Sequence, residues 1–187
     1  MEFKNLLETR DLPDLGPGPR PGVTSQDALN RQLDGLLRDA ELPVRAASLV
    51  RALVLLWHDH LDASHEISQT LGTSDASLLH GMMHRREPDY GNAKYWFGQA
   101  GDHASFRALA AGAGALLEGA AETNALKVQL LPRGEWNARA FVDACEAVAR
   151  RPDETRARLL RELQRLEFHA VLDHLSGLAQ RSPKTGQ

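Results

Sequence analysis

Apolar positions recur at helical spacing from residue 29 onward, and no region sustains the alternation of a half-buried strand. Leu29, Leu33, Leu36 and Leu37 form a stripe behind Thr24 or Ser25 as N-cap, which predicts a first helix. Pro43 can open a second, whose pattern runs without a breaker to Gly72 and puts Leu49, Val50, Leu53, Leu56, Trp57, Ile67 and Leu71 on one face. The run ALVLLW at 52–57 is apolar on nearly every side, so this helix is expected at the centre of the fold.

Ser74 or Asp75 caps a third helix, packed through Leu78, Leu79, Met82 and Met83 and ended by Pro88. Further helical stretches follow: a short one in DYGNAKYWFGQAG, then 103–119, about 136–149, and a long one opened by Pro152. The pattern predicts an all-α fold, a compact single-domain bundle of about six helices. Only the ends depart from it. LPDLGPGPRPGVT alternates Pro and Gly too densely for a helix or a paired strand, so residues 1–24 are expected as an N-terminal arm, 25–179 as the helical domain and 180–187 as a polar tail.

Composition narrows the function classes without naming one. A chain of 187 residues, 42% hydrophobic and 25% charged, suits one buried core. A net charge of −3 gives no general attraction to nucleic acid or to an anionic membrane, so neither is expected as a partner. With no apolar run long enough to span a bilayer and no signal-peptide pattern, the cytoplasm is the expected compartment. Cys145 is the sole cysteine, and beside Phe141, Ala144 and Val148 it reads as a small buried residue rather than a nucleophile.

The candidate chemistry lies in two neighbouring strings. On a continuous helix WHDHLDASHEISQ aligns His58, Asp62 and His65 along one flank, with His60 in the core face. In LLHGMMHRREPDYGNAKYWF, His80, His84 and Glu87 follow at i, i+4 and i+7. Two imidazoles one turn apart can hold a divalent metal ion as a cofactor, with His58, Asp62, His65 or Glu87 as a third ligand and a remaining carboxylate as base, or can form a hydrogen-bonded network without one. Glu does not directly follow the first His, so this is not the zincin motif.

The last helix adds Glu167 and His174 inside its apolar stripe, where each needs a polar partner from residues 57–97; His169 points outward. Arg85 and Arg86 lie about 100° apart, so at least one is expected against a carboxylate, with Asp62, Glu66, Asp89 and Glu167 as candidates. If these groups converge, Tyr90, Tyr95 and Trp96 wall the pocket, and Arg85, Arg86, His60, Asn92 and Lys94 position a small anionic molecule.

The same two strings resemble a set of uncharacterised bacterial and fungal proteins that carry WHDHLDxSHE and LHxxxHRREPDYxNAKYW segments. The likeness covers about residues 54–97. It implies an all-helical domain and assigns no catalytic residue. Two functions are therefore carried forward: a His/carboxylate/Arg pocket that binds or transforms a small molecule, and a non-catalytic structural or interaction protein whose His/Arg motif is a buried polar network.

Overall fold

A computed structural model describes residues 2–119 and 121–180, and within them every regular element is helical. The elements are α1 (Glu2–Asn5), α2 (Gln26–Asp39), α3 (Val44–Trp57), α4 (Leu61–Ser68), α5 (Ser74–Arg86), α6 (Tyr90–Ala100), α7 (Phe106–Leu116), α8 (Ala121–Leu130), α9 (Ala138–Arg150) and α10 (Glu154–Ser176). No helix among the described residues is long and apolar enough to cross a membrane. The polar tail expected at 180–187 lies outside the described residues beyond 180.

The expected central helix is present as α3, where Ala52 to Trp57 are all buried. It packs against α2, α4, α5 and α10, and the Trp57 and Phe168 rings meet edge to face at 5.2 Å. A helix apolar all round is stable only when enclosed, and this one is. The hairpin of α5 and α6 packs on α4 and α9, and α10 closes the core against α3, α7 and α9. Close approach of α5 to α6 depends on Gly81, where a Cβ would stand 3.0 Å from the Phe97 ring.

The count of about six helices is corrected to ten among the described residues: α1 and α8 add to the helices expected, and the expected second helix is broken where the periodicity could not reveal it. The expected helix over 43–71 stops after Trp57, Asp59 takes a left-handed φ of 66°, and the chain restarts at Leu61 as α4. Asp tolerates this region better than most residues, but hydrogen bonding from elsewhere holds it there. The buried Asp59 carboxylate accepts from the Arg20 backbone N–H (2.9 Å), from Arg20 Nε (3.0 Å) and from Arg86 Nη2 (2.6 Å). Helical phase is lost at the break, so the side chains of α4 do not continue the faces of α3.

The expected arm is likewise docked, with Phe3 and Leu7 in the hydrophobic core. Arg86 donates from Nε to the Asp14 carbonyl (3.1 Å) and from Nη2 to that of Gly16 (3.1 Å), while Gln164 Nε2 donates to the Pro13 carbonyl (3.0 Å). Such a Pro/Gly-rich strip forms few hydrogen bonds of its own, so buried side chains of the helices satisfy its carbonyls. His58 completes the docking: Nε2 lies 2.8 Å from the Leu6 carbonyl, and Nδ1 accepts the Thr24 N–H at 3.4 Å.

Burial, followed by smaller effects that include the nearby Arg20, holds His58 below the usual histidine pKa. The unfolded chain then binds a proton near pH 6.5 that the folded protein resists, so stability falls as pH drops through and below that value. Acidification from pH 7 to 5 should lower the hydrogen-exchange protection factors across 6–24, taken relative to intrinsic exchange at each pH, and His58→Gln should flatten that dependence. Protection factors there that do not change with pH would refute the role given to His58.

Candidate metal centre

The third predicted helix is α5, and its cap is Thr73 rather than the expected Ser74 or Asp75: the Thr73 hydroxyl accepts the Ala76 N–H at 3.2 Å, and Ser74 and Asp75 are already in the first turn. One turn apart near its C-terminal end, His80 and His84 stack at 4.7 Å between ring centroids. His65 of α4 approaches both, at 4.7 Å from His80 and 5.2 Å from His84. One ring nitrogen from each lies within 4.8 Å of the other two, so the three could hold a metal ion. Ligands at about 2.0–2.1 Å from a tetrahedral ion stand about 3.4 Å apart, so closure needs ring movements of order an ångström.

The surroundings of the three rings differ. His80 is sandwiched between His84 and Trp96, whose ring stacks on it at 4.0 Å. Its Nε2 is buried and has no hydrogen-bond partner. Burial first, then the neighbouring His84 and His65, pushes His80 down to about 4, so at neutral pH it is an uncharged imidazole. His84 is held at both nitrogens, with Glu87 Oε2 3.0 Å from Nδ1 and the Asn92 amide 3.0 Å from Nε2. A carboxylate at Nδ1 favours the tautomer with its proton there, which leaves the Nε2 lone pair for an amide hydrogen or an ion.

Glu87 also borders a cleft of about 350 Å³, shared with His60, Asp62 and Pro17 among others. His60 Nε2 is tied to the Thr24 carbonyl at 2.8 Å, while Asp62 is exposed. The cleft thus brings two solvent-exposed carboxylates to the edge of the imidazole cluster.

Comparison with known proteins finds no matching family model, no matching curated protein and no matching solved structure. The site is therefore read on its own chemistry.

The sequence candidates do not gather into a single pocket. His65, His80, His84, Glu87, Asn92 and Trp96 come together; His60 and Asp62 line the adjoining cleft; His58 faces the N-terminal segment. On α6, Lys94 turns instead to Asp143 of α9 (2.7 Å), Tyr90 is half-buried against the core, and Tyr95 is exposed beside Trp96.

The two arginines point inward and are fully buried. Arg85 forms a forked pair with Glu167 (Nη1 to Oε1 3.0 Å, Nη2 to Oε2 2.5 Å), reaches Gln164 at 3.3 Å, and lies 4.4 Å from the Phe141 ring centroid. Besides Asp59 and the N-terminal carbonyls, Arg86 binds the Leu56 carbonyl at 2.5 Å. The HRRE string thus divides, its imidazole going to the cluster and its guanidiniums to the interior.

His174 is bonded elsewhere, to Asp75, with His103 beside it. His169 is half-buried and meets Trp57 edge-on at 6.2 Å rather than facing solvent freely. Cys145 is buried, and burial first among its influences pushes its thiol up to about 12, which leaves no thiolate at neutral pH.

Sequence reasoning did not single out Asp59, Arg20 or Gln164. Gln164 had a visible signal, since it falls on the same buried stripe of α10 as Leu160, Leu163 and Glu167. Asp59 and Arg20 had none: an Asp between two His and an Arg between two Pro look like surface positions.

Proposed function

We propose that the protein holds a divalent transition-metal ion between His65, His80 and His84 and uses it to bind or transform a small anionic molecule entering from the adjoining cleft. The observation that carries this is the convergence of one ring nitrogen from each of three histidines on two helices, in a cluster where His80 Nε2 is buried without a hydrogen-bond partner. A buried polar atom left unsatisfied costs about 1–3 kcal/mol, and metal ligation would remove that cost. His80 is uncharged at neutral pH, so an ion competes with no bound proton on that ring.

Three further features support the reading. Glu87 on the far nitrogen of His84 is the partner that orients a ligand imidazole and fixes its tautomer. Three protein ligands leave a fourth position open, as catalytic zinc sites do and structural ones do not. The segment that resembles uncharacterised bacterial and fungal proteins, about 54–97, contains all three ligands.

A divalent ion supplies Lewis acidity, polarising a ligand oxygen or acidifying a water. Around it, Trp96 covers His80 and excludes water from one side, and Asp62 in the cleft is the exposed carboxylate available to take a proton. Arg85 and Arg86 are spent on Glu167 and Asp59, so the anion is held by the ion rather than by a guanidinium. Those same two ion pairs favour the second reading, a structural polar network, for the arginine half of the motif.

Elemental analysis of tag-free protein should show that the His80→Ala, His84→Ala double variant carries one ion per chain fewer than the parent. Equal metal content in the two would overturn the metal centre.

A further inference from the structure

A second group of metal-ligating side chains lies outside this site, where three distant parts of the chain meet. Asp75 is in the first turn of α5, His103 in the link between α6 and α7, and His174 in the last turn of α10. Both imidazoles aim Nε2 at the same carboxylate oxygen: His103 Nε2 and His174 Nε2 each stand 2.8 Å from Asp75 Oδ1. The two rings meet edge to face at 4.9 Å. The donor atoms of all three lie within 4.8 Å of one another.

We propose that Asp75, His103 and His174 form a second, independent metal site, taking a divalent transition cation of the Zn2+ class and serving as a clip between the start of α5 and the end of α10. Two imidazoles and a carboxylate are a donor set that such ions favour over Mg2+ or Ca2+, which take all-oxygen ligands. His103 Nδ1 accepts the Ser105 backbone N–H at 3.2 Å, so Nε2 carries the proton directed at Asp75, and ligation there would release it. His174 sits at the C-terminal end of α10, where the helix dipole favours a cation.

The site is also accessible. The His103 side chain is only 2% exposed, but Asp75 and His174 are 24% and 13% exposed, so one side is open to an entering ion and to a water as a further ligand. Asp75 and His174 are 99 residues apart in sequence. An ion bound there restrains a long loop of the unfolded chain, and its binding free energy becomes folding free energy.

The test is calorimetric titration of metal-stripped full-length protein with Zn2+, alongside thermal unfolding with and without Zn2+. The parent should bind two ions per chain, and His174→Gln and Asp75→Asn should each bind one. The His80→Ala, His84→Ala double variant should keep one ion and a Zn2+-dependent rise in Tm, and adding His174→Gln should abolish both. Failure of the histidine cluster alone would appear as a single ion in the parent, lost in His174→Gln and kept in the double variant. Zn2+ binding and Tm that are unchanged by His174→Gln and by Asp75→Asn, or a double variant of native helical content that takes up no Zn2+, would overturn the second site.

Discussion

Glu167→Ala is expected to be the most damaging single substitution in the core, lowering stability by about 3–5 kcal/mol because it strands the Arg85 guanidinium without its counter-ion. Both side chains of this pair have no solvent exposure, so no water can replace the lost carboxylate. For a domain of this size each kcal/mol moves Tm by about 2–4 °C, which puts the drop on the order of 10 °C. Arg85→Lys should also be harmful, since an ammonium cannot reproduce the fork to Glu167 and Gln164 or the contact over Phe141. Replacing both partners, Arg85→Met with Glu167→Leu, should leave a protein more stable than Glu167→Ala, because neither charge then remains buried alone. Thermal unfolding of the set decides it: a Glu167→Ala variant within about 2 °C of the parent would mean the pair contributes little.

Asp59→Ala is the second. It removes the carboxylate shared by Arg20 and Arg86, leaving two guanidiniums close together in the interior, at a cost again of about 3–5 kcal/mol. Burial opposes ionisation of Asp59, but the Arg20 N–H and the Arg86 side chain outweigh it and hold the carboxyl below its usual range. The effect should be regional as well as global. The N-terminal strip hangs on Arg20 and Arg86, so limited proteolysis of the variant should cut within 6–24 before the helices are attacked. Asp59→Asn tolerates the same left-handed backbone and keeps an acceptor oxygen but loses the charge, so it should fall between Ala and the parent. If Asp59→Asn matches the parent and Asp59→Ala does not, backbone conformation and hydrogen bonding, rather than charge, explain the position.

These expectations bear on how much could be read before the fold was known. Glu167 and His174 were marked as needing partners by their place in an apolar stripe, and both have them: Arg85 for one and Asp75 for the other. The partner of Arg85 was among the carboxylates considered, whereas that of Arg86 was not. Asp59 belonged to neither the core face nor the flank of the expected unbroken helix, and its side chain turns inward because the helix ends there.

The amino-acid sequence by itself determined the helical class, the enclosure of 52–57, the start of α5 to within two residues and the one-turn spacing of His80 and His84. All of these follow from local periodicity, capping and burial over a few neighbouring residues. Tertiary structure decided which histidine joins that pair. An unbroken helix would have kept His58, Asp62 and His65 on one flank; the break at Asp59 sends His58 to the Leu6 carbonyl and His65 to the imidazoles of α5. That break is held by Arg20, 39 residues earlier, and Arg86, 27 residues later, and no local pattern carries information across such separations. The docking of the Pro/Gly-rich strip was invisible for the same reason, because its carbonyls are satisfied by Arg86 and Gln164, 70 or more residues away along the chain.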